Sequence, residues 1–375
     1  MVLLSNRSFV AIIAPLLLQN AHSLSITESS RAQTARSRLS EAFRSPSKKL
    51  TLHPEIILPE PSDPTALLLR ASEVTKLSQV LRTKAKANAV FVEGTVDALA
   101  PMGREQENAR GNFPGPVPIV FSLTDCTNLS SSLKQLQTID GVEGVLVSFF
   151  EGKGIDSVGA FLEEAKSSDI TDLCTAIWDA GLQPIPEIVL SPNSEWPEEE
   201  VVRLVDAIKD TCGGLDPVSI VFTNGGVDKS EEESNDEEED KPSTPTLAIP
   251  GSISKRVAFI GSIRTTAGGG RMNHATSQLS TDRFNGAFLR ADCVPGYRMN
   301  PDLNVVGGFW SACIGDLKSL KSKSFSFRSR VKLEKDIPME WFNYQKDVME
   351  SGALGGPGAG ADPTLNPDAG DYKGF

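Results

Sequence analysis

One carboxylate is conspicuous for its setting. Glu187 lies between Pro186 and Ile188, inside the apolar run 183–190. Burying a charge in such a run is costly unless it is paired or faces an opening. Two readings follow: a general acid/base with a raised pKa, or a hydrogen-bonded structural acid. Other groups able to do chemistry also stand at the ends of apolar runs. Asn224 ends one, Ser262, Arg264 and Thr265 end another, and Asp292 and Cys293 a third. Gly268, Gly269 and Gly270 follow closely, and backbone amides in such a triplet can approach a phosphate. The same triplet also reads as a mobile loop. Five cysteines are scattered without a CxxC pair and there are only three histidines, so buried thiols are expected, with no metal centre and no cofactor.

These residues need elements that bring strand ends together. Residues 141–224 read as strand, helix, strand, helix, strand: apolar runs at 142–150, 183–190 and 218–223, with helical spacing at 169–180 and 198–210 between them. Continuous apolar strands alternating with helices imply a parallel sheet covered on both faces. Strand starts are expected at Thr65, Ala89, Val117, Val142, Gln183, Val218, Arg256 and Phe288. Eight βα units predict an α/β fold, an irregular (β/α)8 TIM barrel, whose reactive residues lie at the C-terminal strand ends. A doubly wound open sheet is the alternative, although nothing resembles GxGxxG after the first strand. Residues 72–88 and 309–320 are expected as helices, and 100–116 as a lid or mobile insertion.

The remaining segments read as extensions. Residues 1–23 carry Arg7, an apolar stretch and Ala21-His22-Ser23, as a signal peptide does. Residues 24–50 are rich in serine and arginine with two acids, a plastid transit-like composition. Together they predict a bipartite plastid presequence, with a secreted protein as the alternative. Proline-rich 51–64 is expected as a linker, 65–333 as the barrel, 228–254 as a disordered acidic insertion and 334–375 as a C-terminal extension. The formal net charge is −12, much of it in residues 228–240, which argues against nucleic-acid binding. No span is expected to cross a membrane in the mature chain. The acidic insertion, the basic patch 318–332 and the aromatic-ended tail are candidate surfaces for a plastid protein partner.

Several short motifs resemble the indole-3-glycerol-phosphate synthases of the ribulose-phosphate-binding barrels. Residues 180–188 (AGLQPIPEI) resemble that family's fifth unit, with Glu187 at the strand glutamate. Residues 220–224 (IVFTN) resemble its Ile-Gly-Ile-Asn-Asn strand, Ile263-Arg264-Thr265 the Ile-Arg-Thr after the seventh strand, and Arg70-Ala71-Ser72 the Arg-Ala-Ser after the first. The resemblance implies a small phosphorylated ligand. It also implies losses: Leu67 and Leu69 stand where the first strand should carry Glu-x-Lys, residues 120–124 lack the third-strand lysine, and Ala291 replaces a glycine. The expectation is a barrel without synthase activity, kept for binding or assembly. The alternative is an active lyase or isomerase using Glu187 with Arg264, Asp292 or Cys293.

Overall fold

The computed structural model describes residues 30–45, 49–58, 64–123, 129–167, 169–192, 194–224, 246–264, 275–294 apart from 277 and 281, and 302–322. Eight parallel strands close a barrel: β1 (Thr51–Ile57), β2 (Val90–Glu93), β3 (Ile119–Ser122), β4 (Val142–Ser148), β5 (Gln183–Leu190), β7 (Ser219–Asn224), β9 (Ala258–Ile263) and β10 (Gly286–Leu289). β1 closes the ring by pairing with both β10 and β2. Two short strands outside the ring, β6 (Glu195–Trp196) and β8 (Thr246–Leu247), pair with each other. The helices are α1 (Ser30–Phe43), α2 (Pro64–Val80), α3 (Val96–Asn108), α4 (Leu129–Thr138), α5 (Val158–Ser167), α6 (Ile170–Asp179), α7 (Glu198–Thr211) and α8 (Leu303–Ser322).

The strand alternation sorts side chains into two cores. Leu52, Ile56, Val90, Val92, Ile188, Ile220 and Phe259 face outward, in the shell between barrel and helices. Phe91, Val120, Leu146, Ile185, Val221, Ile260 and Phe288 fill the interior. Phe91 and Phe288 meet at its centre with ring centroids 4.2 Å apart. The interior is therefore packed rather than hollow, as in other barrels of eight strands.

Seven of the expected strands lie within two residues of their predicted starts, and the first does not. Residues 65–70 belong to α2, and the expected linker 51–64 contains β1. Pro54 concealed it. In the ring Pro54 stands opposite Leu289. A proline there deletes one ladder donor while its fixed φ still suits an extended chain. Leu67 and Leu69 therefore lie on a helix, and the comparison that set them against a first-strand Glu-x-Lys pair fails.

Three further expectations change. The 100–116 stretch is mostly helix α3, which Thr95 starts by accepting a hydrogen bond from the Ala98 N–H at 3.4 Å. The connection that remains precedes β3, on the face opposite the mouth, so it is no lid. The expected insertion 228–254 includes packed structure from Thr246 onward: β8 pairs there, and Ile249 and Ile253 are buried.

The transit-like composition of 24–50 conceals α1, which packs on the barrel floor against β4, β5 and β9. Ala32, Ala35, Leu39 and Phe43 are fully buried, and Leu39 and Phe43 belong to the barrel-interior core. Its arginines find acceptors on the floor. Arg36 donates to the Asp216 carbonyl at 3.0 Å, Arg38 to Glu143 at 2.5 Å, and Arg31 to the Gln137 carbonyl. Gln183 donates back to the Ala32 carbonyl at 2.9 Å. Residues 1–29 and 334–375 lie outside the described residues.

Candidate functional site

The mouth of the barrel is built from the C-terminal ends of β1, β5, β7, β9 and β10. The residues there follow from strand parity. Glu55 lies two positions beyond inward-facing His53, Glu187 two beyond Ile185, Thr223 two beyond Val221, Ser262 two beyond Ile260, and Arg290 two beyond Phe288. Each is thus carried to the layer above the aromatic centre.

Arg290 organises that layer. Its Nη1 donates to Glu55 Oε1 at 2.9 Å, its Nε to Ser262 Oγ at 3.0 Å, and its Nη2 to Glu187 Oε1. The guanidinium carbon stands 4.3 Å from the centroid of the Phe288 ring, a cation–π arrangement. Glu187 Oε1 also accepts from Thr223 Oγ1 at 2.7 Å, and Glu55 Oε2 from the Ala291 N–H at 2.9 Å. Glu55 and Glu187 are each 5 % exposed and Arg290 8 %. Two carboxylates share one planar cation that uses its fork on both, a geometry lysine cannot reproduce.

This arrangement holds charge in place. A guanidinium does not give up its proton in a protein, so Arg290 supplies no acid. Glu187 Oε1 already accepts two hydrogen bonds, from Arg290 and Thr223. Freeing it would break a buried pair, which typically costs about 3–5 kcal/mol. Glu187 is thus an ion-paired, hydrogen-bonded acid at the mouth.

Beside this layer is a cavity of about 160 Å³ between the ends of β7 and β9. Thr223, Asn224, Ser262, Arg264 and Asp282 supply its polar side, with Phe222 and Phe284 among its apolar walls. Burial pushes the Asp282 carboxyl above the usual carboxylate range. Among the described residues, no group of three or more His, Cys, Asp or Glu is placed to hold a metal ion.

The sequence-predicted residues divide accordingly. Glu187 and Ser262 belong to the charged layer, while Asn224, Ser262 and Arg264 meet in the cavity. Asp292 lies half-buried in the short turn Ala291–Cys293, outside that lining, and Cys293 donates from Sγ to the Ile263 carbonyl at 3.4 Å. Thr265, Gly268, Gly269 and Gly270 are outside the described residues. Glu55, Arg290 and Thr223 escaped the sequence reading. Glu55 was hidden in the supposed linker, although it precedes an apolar pair, Ile56-Ile57. Arg290 directly follows an apolar strand, the same signal that singled out Asp292.

No protein-family model matches the sequence, and no curated protein matches it. Solved structures are similar at low identity. A mutant tryptophan synthase alpha-subunit from Pyrococcus furiosus is 13 % identical, over 72 % of this chain and 98 % of that one, with a TM-score of 0.41. The tryptophan synthase α2β2 complex of the same organism matches at 11 % identity, over 72 % and 97 %, also at 0.41. A protein from Aquifex aeolicus matches at 14 % identity, over 77 % and 98 %, at 0.39. The fold assignment stands on the closed strand order itself.

Proposed function

We propose that this chain is a plastid barrel that no longer performs proton-transfer chemistry at its mouth and serves as a small-ligand-binding or assembly protein. One observation carries the reading: Arg290 ties Glu55 and Glu187 together in a buried layer, which weighs against either carboxylate acting as a free base. The neighbouring cavity is the binding site in this reading. Its lining of an arginine, two hydroxyls, two amides and an Asp282 carboxyl whose pKa burial raises suits a small anionic or phosphorylated molecule, the ligand class that the motif resemblance implies. The plastid address draws on the leader-like composition of residues 1–29, since the arginines at 31, 36 and 38 belong to the barrel floor. The acidic run, the basic stretch 318–332 and the aromatic-ended tail are the surfaces offered to a protein partner.

The second reading is an active lyase or isomerase on a small phosphorylated substrate. It is favoured by the fact that Thr223 and Ser262 belong to both the cavity and the charged layer. A ligand in the cavity would touch the residues that hold Glu187 and Arg290.

A thermal-shift series with inorganic phosphate and small sugar phosphates tests the binding reading. Stabilisation that saturates with ligand and is lost in Arg264→Ala is expected. No shift with any of these compounds contradicts it. A fluorescent fusion of residues 1–50 should enter the plastid, and its secretion would overturn the address.

A further inference from the structure

We propose that Cys174 and Cys212 form a redox-modification site, a buried dithiol that a small-molecule disulfide converts reversibly into a covalent tie between α6 and the end of α7. The two sulfurs lie 3.7 Å apart, and both residues are fully buried. Cys174 is on the inner face of α6 with Ile177, and Cys212 caps the C-terminus of α7. The backbone around Cys212 is fixed against α6, because Trp178 Nε1 donates to its carbonyl at 3.1 Å. A disulfide needs its sulfurs about 2 Å apart, so each has to move by only about 1 Å. Gly213 and Gly214 follow with φ of +82°, and a side chain at 213 would meet nothing nearer than Thr175 at 3.9 Å. The chain beyond Cys212 thus has room to adjust.

The chemistry balances with one named co-reactant. A thiolate from one cysteine attacks a low-molecular-weight disulfide, forming a mixed disulfide and expelling one small thiolate. The second cysteine then attacks the protein sulfur of that mixed disulfide and expels the other small thiolate. Two protein thiols are oxidised, one external disulfide is reduced to two thiols, and the two protons pass to them. The contact between the thiols and their burial together push the Cys212 thiol up. Exchange therefore proceeds through opening of the α6–α7 contact, and the pair resists casual oxidation. The other described cysteines, Cys293 and Cys313, lie on different elements. Cys293 is engaged with the Ile263 carbonyl.

The test is equilibration of the full chain in glutathione buffers of graded redox poise, followed by acid quenching and peptide mapping without reduction. The expected result is a cross-linked peptide joining residues 174 and 212, formed with the loss of two hydrogens and reversed by dithiothreitol. Cys174→Ala should abolish it, and Cys293→Ala should leave it unchanged. Because wild-type mapping alone decides the matter, a poorly folding variant does not weaken the test. The proposal is overturned if both thiols stay free in the most oxidising buffer. Separate glutathione adducts on the two residues, or a bond from either one to Cys126, Cys293 or Cys313, would overturn it equally.

Discussion

The two ends of this barrel neutralise buried polarity in opposite ways. At the mouth, Glu55 and Glu187 are ion-paired with Arg290, just beyond the end of β10. At the floor, His53 is kept uncharged and sealed under a helix. Its Nε2 lies 2.8 Å from Thr51 Oγ1, and the Phe43 ring of α1 meets it edge-on at 5.1 Å. Burial, reinforced by the charge of Lys318 and only partly offset by a backbone contact with Ala89, lowers the His53 pKa to about 3. Even a glycine is demanded there, since a Cβ at Gly286 would stand 2.7 Å from His53 Nε2. Both ends border a cavity: the mouth the one lined by Thr223 and Ser262, and the floor one of about 360 Å³ lined by Arg38, Ala42 and Glu143. The contrast is one of means: at the floor a helix seals an uncharged histidine, and at the mouth an arginine holds two carboxylates.

That contrast can be broken from the floor first, where the largest effect is expected. Deleting residues 2–45 removes α1 and exposes the barrel interior, whereas deleting 2–29 leaves α1 in place. Burial of Leu39 and Phe43 alone is worth about 2–3 kcal/mol each, so the longer deletion should yield insoluble or unfolded protein. The shorter one should melt as the full chain does, and circular-dichroism melts distinguish them. Equal melting of both would show that α1 is dispensable.

At the mouth, Arg290→Met strands two buried carboxylates and should cost about 3–5 kcal/mol in urea unfolding. The double variant with Glu55→Gln and Glu187→Gln in the Arg290→Met background should recover part of that loss, because no buried charge is then left without its partner. If Arg290→Met unfolds at the wild-type urea concentration, the buried layer does not hold the strand ends together.

The floor should also respond to pH. The unfolded imidazole binds a proton near its ordinary 6.5, the folded one only near 3. Neutral His53 therefore favours the fold fully above about pH 6.5, and that contribution is lost as pH falls toward 3. The expected slope is about 1.4 kcal/mol per pH unit between those values. His53→Gln should flatten the profile measured by urea titration, and an unchanged slope would contradict the assignment.

The smallest effect is expected from deleting residues 228–241. A run this acidic has little apolar surface to bury, and closing a shorter loop between β7 and β8 changes the entropy only weakly. The melting temperature should stay within about 2 °C. A fall of more than about 10 °C would show that the run is packed.

How much of this was legible follows from what each residue does. The units within 141–224 were readable because their strands are apolar on both faces and their helices carry a clean apolar stripe. β1 was not, because its inward positions are Thr51, His53 and Glu55, polar groups chosen for the interior layers, and Pro54 lies among them. The same polarity that makes β1 functional made it look like a linker. α1 was concealed likewise: its arginines serve the floor's carbonyls and Glu143, yet by composition they resemble a leader. Glu187 was visible as a lone carboxylate in an apolar strand. Its partner was not, since the contact of Glu187 with Arg290 across the barrel depends on the ring closing, which no local pattern encodes.

The most direct test of the account is a turnover assay of the purified chain with the anilino-deoxyribulose phosphate that the motif resemblance implies as substrate, with Glu187→Gln assayed beside it. With Glu187 and Glu55 both held by Arg290, wild type should show no product above background, and Glu187→Gln should alter stability or ligand binding alone. Formation of indole-glycerol phosphate by wild type, abolished in Glu187→Gln, would contradict the account and establish the mouth as a working active site.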